Sequence, residues 1–263
     1  MHFRMLGPLE LCVNGRNIAP TAAKPRQVIS LLLMRRNSLV LPEEFIEELW
    51  DTKPPKSAAT TLQTYIYHLR KILVKNGAER LLTTHPGGYR LTVEEEWVDL
   101  WEFERSFRTG RAALDEGRPA EASRILQSAV NLWRGPSLAD VEQGKLLYSY
   151  TTWLHELRLR ALELRIEADL QIGRHREVAS ELKSLVLRNP MDEHMHGLLM
   201  IALYGAGRRH EALEQYRELR VSMIEELGIE PGHDLKKIHQ EMLSDICPIP
   251  SMVPAARAQP RLA

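Results

Sequence analysis

Ser57-Ala58-Ala59-Thr60-Thr61-Leu62-Gln63-Thr64-Tyr65-Ile66-Tyr67-His68-Leu69-Arg70-Lys71-Ile72-Leu73-Val74-Lys75 follows the double break Pro54-Pro55 and reads as one long helix with Ser57 as its N-cap. At roughly 100° per residue, Leu62, Ile66, Leu69 and Leu73 fall in one narrow arc, and Thr60, Thr64, Tyr67, His68, Lys71 and Lys75 gather on the opposite side. That outward face carries hydroxyls, an imidazole and lysines, and no carboxylate occurs between Ser57 and Asn76. A solvated helix ordinarily mixes Glu with Lys at four-residue spacing, so an acid-free face points to an anionic partner. The bland alternative is a solvated surface that is basic by composition alone.

The segments on either side supply the rest of a small domain. Phe3 to Val13 places apolar residues on alternating positions and ends in the tight-turn dipeptide Asn14-Gly15, the pattern of strand, turn, strand. From about Ala23 the period changes: Val28, Ile29, Leu31 and Leu32 lie at helical spacing, Pro25 sits near the first turn, and the helix should run to about Arg36. Leu41-Pro42-Glu43-Glu44 opens a second helix with acids at its electropositive end, and Phe45, Ile46, Leu49 and Trp50 form its expected buried stripe. Beyond the long helix, Leu81 to Thr84, the turn His85-Pro86-Gly87-Gly88 and Tyr89 to Val93 read as a hairpin.

Strands, three helices and a hairpin in that order make a winged helix-turn-helix, here residues 1–95. Such a domain lays its third helix in the major groove and sets its hairpin, the wing, against a neighbouring phosphate or minor groove. On that reading Gln63 and His68 hydrogen-bond base edges, with Thr60, Thr64 and Tyr67 on the same face. Arg70, Lys71 and Lys75 neutralise phosphates, Arg90 is the wing contact, and Tyr89 belongs to the core.

Residues 96–245 carry almost no strand signal and a threefold echo. Gly117-Arg118-Pro119-Ala120-Glu121-Ala122, Gly173-Arg174-His175-Arg176-Glu177-Val178 and Gly207-Arg208-Arg209-His210-Glu211-Ala212 repeat one phrase. Each is followed by apolar or small residues at steps of four and three: Ala122, Leu126, Ala129; Val178, Leu182, Leu185; Ala212, Tyr216, Leu219. The last two copies begin at Gly173 and Gly207, the tetratricopeptide period, while the wider gap from Gly117 to Gly173 holds an insertion. The expected fold class is therefore mainly α with a small β component: a winged helix-turn-helix followed by a tetratricopeptide-like helical repeat domain. Residues 246–263, rich in proline and alanine, are expected to form a mobile tail.

Composition narrows the function. Hydrophobic residues make up 44% and charged residues 27% of the 263, the proportions of an ordinary globular chain. No apolar run approaches the roughly 20 residues of a spanning helix, and Met1-His2-Phe3-Arg4 does not open a signal peptide. A cytoplasmic, nucleoid-associated protein with no membrane partner is expected. The net charge of zero conceals 13 basic against 9 acidic residues up to residue 95, and 22 against 26 thereafter. A basic front and an acidic back suit two modules with different partners. Cys12 and Cys247 make neither a disulfide framework nor a metal-spaced pair. There is no phosphate-binding G-x-x-x-x-G-K-[ST] loop and no G-x-S-x-G elbow, and His194 and His196, two apart on a helix, point to different faces. No catalytic residue, no cofactor and no metal are expected.

Several of these motifs occur together and in order: Met5-Leu6-Gly7-Pro8-Leu9, Lys24-Pro25-Arg26, Glu47-Glu48-Leu49-Trp50, Thr61-Leu62-Gln63-Thr64-Tyr65-Ile66, Leu69-Arg70 and Pro86-Gly87-Gly88-Tyr89. Behind them stand Val98-Asp99-Leu100, Leu132-Trp133-Arg134-Gly135, Asn189-Pro190 and Leu227-Gly228-Ile229-Glu230-Pro231. Over roughly residues 1–243 the chain resembles the Streptomyces antibiotic regulatory proteins, an OmpR-type winged helix followed by a bacterial transcriptional activator domain. Position 68, often basic in such helices, is His here. The resemblance implies a sequence-specific activator of a secondary-metabolite (antibiotic) cluster. It implies binding to direct repeats in double-stranded DNA as a homo-oligomer and recruitment of RNA polymerase holoenzyme. In its light Trp133 and Arg134 are a candidate partner surface, whereas read from spacing alone Trp133 is a packing anchor. A tetratricopeptide-type protein-interaction adaptor and a ligand-gated repressor are the rival readings.

Overall fold

A computed structural model describes residues 1–244; the expected tail at 246–263 and Cys247 lie outside the described residues. The strands are β1 (His2–Arg4), β2 (Glu10–Val13), β3 (Arg16–Asn17), β4 (Leu39–Val40), β5 (Leu82–His85) and β6 (Gly88–Leu91). The first three helices are α1 (Ala23–Met34), α2 (Pro42–Trp50) and α3 (Ala58–Lys75). After a 3-10 turn at Glu95–Trp97 come α4 (Asp99–Asp115), α5 (Pro119–Asn131), α6 (Lys145–Gln171), α7 (His175–Arg188), α8 (Glu193–Gly205), α9 (Arg209–Leu227) and α10 (His233–Leu243). The chain divides into two compact units, Met1–Arg108 with Ser128–Ala161, and Thr109–Gln127 with the chain from Leu162 on.

The first unit holds the winged helix-turn-helix. Two antiparallel sheets, ordered β1-β2-β3 and β4-β6-β5, flank the three helices. Asn14 and Gly15 both take left-handed φ, +49° and +76°, as the tight β2–β3 turn requires. The single alternating strand expected from Phe3 to Val13 is broken at Met5–Leu9, because that stretch bonds elsewhere. Met5 N and Leu6 N donate to the Asp99 carboxylate at 2.8–3.0 Å, and Leu9 N donates to Asp140 Oδ1 at 2.8 Å. Arg134 N and Leu138 N return bonds to the carbonyls of Leu6 and Met5. Gly7 sits at φ +149°, where an added Cβ would lie 2.9 Å from Arg134 Cβ.

Helix α1 is buried on every side from Gln27 to Met34 instead of along one stripe, since α2, α3 and β6 all pack on it. On α2 the expected stripe is realised by Phe45 and Leu49, while Ile46 and Trp50 are half-buried and Glu48, 3% exposed, takes an interior place. The Glu48 carboxylate accepts from Gln27 Nε2 at 3.0 Å and from the backbone N–H groups of Gly144, Leu146 and Leu147 at 2.7–3.0 Å. It thereby satisfies orphan donors at the start of α6.

The second unit is built from the repeated phrase. Gly117, Gly173 and Gly207 all adopt left-handed φ between +72° and +83°. In each copy the next residue's N–H reaches back to a carbonyl five residues earlier: Arg118 to Ala113, Arg174 to Asp169 and Arg208 to Leu203. These are Schellman stops that end one helix and launch the next. Helix α8, enclosed by α7, α9 and α10, is buried continuously from Met195 to Leu203. Val186, not Leu185, takes the buried position at the end of α7. A polar cluster joins Ser123, Arg165, Asp169, Arg174 and Glu181: Ser123 Oγ donates to Asp169 Oδ1 at 2.7 Å, and both arginines bond the same carboxylate at 3.0–3.1 Å.

Candidate nucleic-acid interface

The interface is assembled on α3. Its eighteen residues bury Ala58, Leu62, Ile66, Leu69 and Leu73, so the opposite arc is held outward by core packing. Ser57 occupies the N-cap position without a side-chain capping bond, contrary to the expectation for a serine there; its Oγ instead lies 3.5 Å from Thr61 Oγ1. The C-terminal end has Lys75 in the last turn and Asn76, whose side chain donates to Ile72 O at 2.8 Å.

Thr60, Gln63, Thr64, Tyr67, His68, Lys71 and Lys75 are all exposed and share one face. Thr64 Oγ1 donates to Thr60 O at 3.0 Å, which spends its proton on the helix and leaves the hydroxyl oxygen facing out as an acceptor. Tyr67 is 62% exposed, and its ring meets that of His68 edge to face at 5.8 Å. Val74, 57% exposed, extends the same face; an apolar residue in the outward arc gave the helical pattern no signal.

Arg70 stands apart from the other basic residues. It is half-buried, with Nε donating to Leu82 O at 3.1 Å and Nη2 donating to Thr84 Oγ1 at 2.5 Å. Arg90 lies on β6, paired in register with Leu39 on one side and Thr83 on the other. By strand alternation it occupies the sheet face opposite Tyr89, which is half-buried with its ring against the core residue Phe45 at 6.0 Å. The wing turns at Pro86-Gly87, with Gly87 at φ +88°.

The other singled-out residues are engaged inside their own units. Trp133 is 8% exposed, edge to face with Phe103 at 5.3 Å, and the Arg158 guanidinium lies 5.0 Å above its ring. Arg134 donates to Glu10 Oε1 at 2.6 Å and to Pro8 O at 3.1 Å. His194 Nε2 stands 3.7 Å from Glu167 and 3.9 Å from Glu163. His196 is buried with Nε2 3.0 Å from Pro190 O, and its burial lowers its pKa. Among the described residues no group of three or more potential ligands is placed to hold a metal ion, and no helix is long and apolar enough to cross a membrane.

Residues 16–91 match the family described as transcriptional regulatory protein, C terminal, and residues 98–243 match the bacterial transcriptional activator domain. Regulatory protein DnrI of Streptomyces peucetius is 41% identical over 250 residues, covering 92% of each chain. Transcriptional regulatory protein EmbR of Mycobacterium tuberculosis is 32% identical over 92% of this chain and 63% of its own length. Regulatory protein AfsR of Streptomyces coelicolor is 33% identical over 92% of this chain and 24% of its own. The solved structure of M. tuberculosis EmbR in complex with a low affinity phosphopeptide superposes with a TM-score of 0.88 at 32% identity, over 93% of this chain and 65% of that one. This chain thus corresponds to less than two thirds of EmbR and about a quarter of AfsR.

Proposed function

The chain belongs to the Streptomyces antibiotic regulatory protein family, and from that premise we propose that it is a sequence-specific activator of a secondary-metabolite (antibiotic) biosynthesis cluster. It is a DNA-binding transcriptional regulator; the target genes, the operator geometry and the partners are the proposed part. The observation that carries the reading is the outward face of α3, seven exposed hydroxyl, amide, imidazole, phenol and ammonium groups with no carboxylate among them.

In the proposed mechanism α3 enters the major groove. Gln63 and His68 hydrogen-bond base edges, and Thr60, Thr64 and Tyr67 fill the space around them. Lys71 and Lys75 neutralise phosphates, and Arg90 carries the wing contact. Two protomers on direct repeats one helical turn apart stand head to tail on one face of the duplex, where their helical repeats hold each other and RNA polymerase holoenzyme at the promoter.

The test is a footprint of the purified protein on the promoters of its own genomic neighbourhood at moderate salt, with Lys71→Glu beside it. Protection of direct repeats at one-turn spacing, lost in the variant, is the expected result. A palindromic footprint overturns the head-to-tail arrangement. Sequence-indifferent binding by both proteins overturns the reading and favours the protein-interaction adaptor.

A further inference from the structure

Among the basic residues of α3, Arg70 alone is drawn off the outward face. Lys71 and Lys75 are exposed, whereas the Arg70 guanidinium is directed at β5 and already makes two hydrogen bonds there. Strand β5 is an edge: the sheet order is β4-β6-β5, so among the described residues one side of β5 has no strand beside it. The register pairs Leu82 with Leu91 and Thr84 with Tyr89, and Leu82 O, turned to the open side, receives Arg70 Nε. Arg70 therefore closes an unpaired strand edge that would otherwise seek water or another chain. Its planar fork grips a backbone carbonyl and a hydroxyl two residues along the strand at once, a two-point clamp that a single ammonium does not reproduce.

We infer that Arg70 is a positioning residue that sets the wing against the recognition helix, and that its part in DNA binding is to hold the two reading elements at one spacing. The inference rests on the DNA-reading function proposed above. Helix and wing approach the duplex as two separate contacts, so an error in their spacing loses the second contact even when the first is intact. A charge-preserving Lys at position 70 is then as harmful as a neutral residue, and removal of the Thr84 hydroxyl reproduces part of the same defect with every positive charge in place.

The experiment measures operator affinity and footprints for the full chain carrying Arg70→Lys, Arg70→Gln, Thr84→Val and the double variant Arg70→Lys/Thr84→Val. Lys71→Gln is the phosphate-contact comparator, and thermal unfolding of each variant reports folding. Thr84 is exposed on a strand, so valine is tolerated there and the test survives a misfolded Arg70 variant. The expected results are an affinity loss of about 5- to 10-fold for Arg70→Lys, matched by Arg70→Gln. Thr84→Val should lose affinity too, with the double variant no worse than Arg70→Lys alone. Protection under the wing should fade while protection under α3 persists. Lys71→Gln should instead lower the slope of log K against log salt by about 0.9 without moving the footprint. Wild-type affinity in Arg70→Lys, or losses that add in the double variant, overturns the inference and returns Arg70 to a simple charge. A wild-type chain that protects no DNA overturns the function on which it rests.

Discussion

Lys71 and Lys75 project from the last two turns of α3 with nothing acidic beside them on the helix, which suits them to a phosphate track. Gln63, by contrast, carries an amide that donates and accepts in one plane, the geometry that matches an adenine edge. Gln63→Ala is expected to leave nonspecific affinity unchanged and to relax discrimination at one base pair by about 1–3 kcal/mol, read by competition between operators differing at single positions. Lys71→Gln is expected to weaken all sequences alike. The outward set was legible because a helical wheel needs only spacing: the exposed residues are the ones opposite Leu62, Ile66, Leu69 and Leu73. Arg70 was not legible, because its partners are twelve and fourteen residues away on a strand whose register no local pattern states. Trp133 illustrates the converse. The family resemblance made it a candidate partner surface, whereas its spacing read it as a packing anchor, and its ring is enclosed by Phe103 and Arg158.

The glycine of each repeated phrase is a helix stop, and its side-chain-free Cα is required by φ. Gly207 sits at φ +78° with no atom of the described residues within 4 Å of the position an added Cβ would take, so Gly207→Ala introduces backbone strain and no clash. A loss of about 1–2 kcal/mol is expected from the left-handed conformation alone, measured as a lower urea midpoint. Helix α8 adds a titration. Burial holds the His196 pKa below its ordinary value near 6.5, so the folded state resists protonation and the unfolded state accepts it. Stability present above pH 6.5 is therefore lost as pH falls from 6.5 toward the depressed folded value. The melting temperature should drop as the pH is lowered below 6.5, and His196→Gln should reduce that drop. The histidine's burial was not visible in a pattern that showed it beside Asp192, Glu193 and His194. Only the packing of α8 on three neighbouring helices makes every one of its faces interior.

At the scale of the molecule, the first unit closes through bonds from residues beyond 95: Asp99 to the Met5 and Leu6 amides, Asp140 to Leu9 and Arg26, and Glu48 to the start of α6. A fragment ending at residue 95 leaves those amides without acceptors and is expected to melt well below the full chain and to be cleaved faster by protease. In the full chain, Glu48→Ala is expected to cost about 2–3 kcal/mol, because three backbone donors and Gln27 lose one acceptor group together; denaturant unfolding measures it. What the sequence determined by itself was whatever depends on spacing along the chain: three helices between a leading strand-turn-strand and a closing hairpin, the two faces of α3, the hairpin turns at Asn14-Gly15 and Pro86-Gly87, and the glycine-punctuated repeats. These follow from periodicity and local φ, ψ limits, which neighbours in sequence impose on one another. Tertiary structure alone decided the break at Met5–Leu9, the interior carboxylate of Glu48, the all-round burial of α1 and α8, and the clamp of Arg70 on the wing. Each of those depends on a partner far along the chain, and the free energy of a buried polar group is set by which partner arrives.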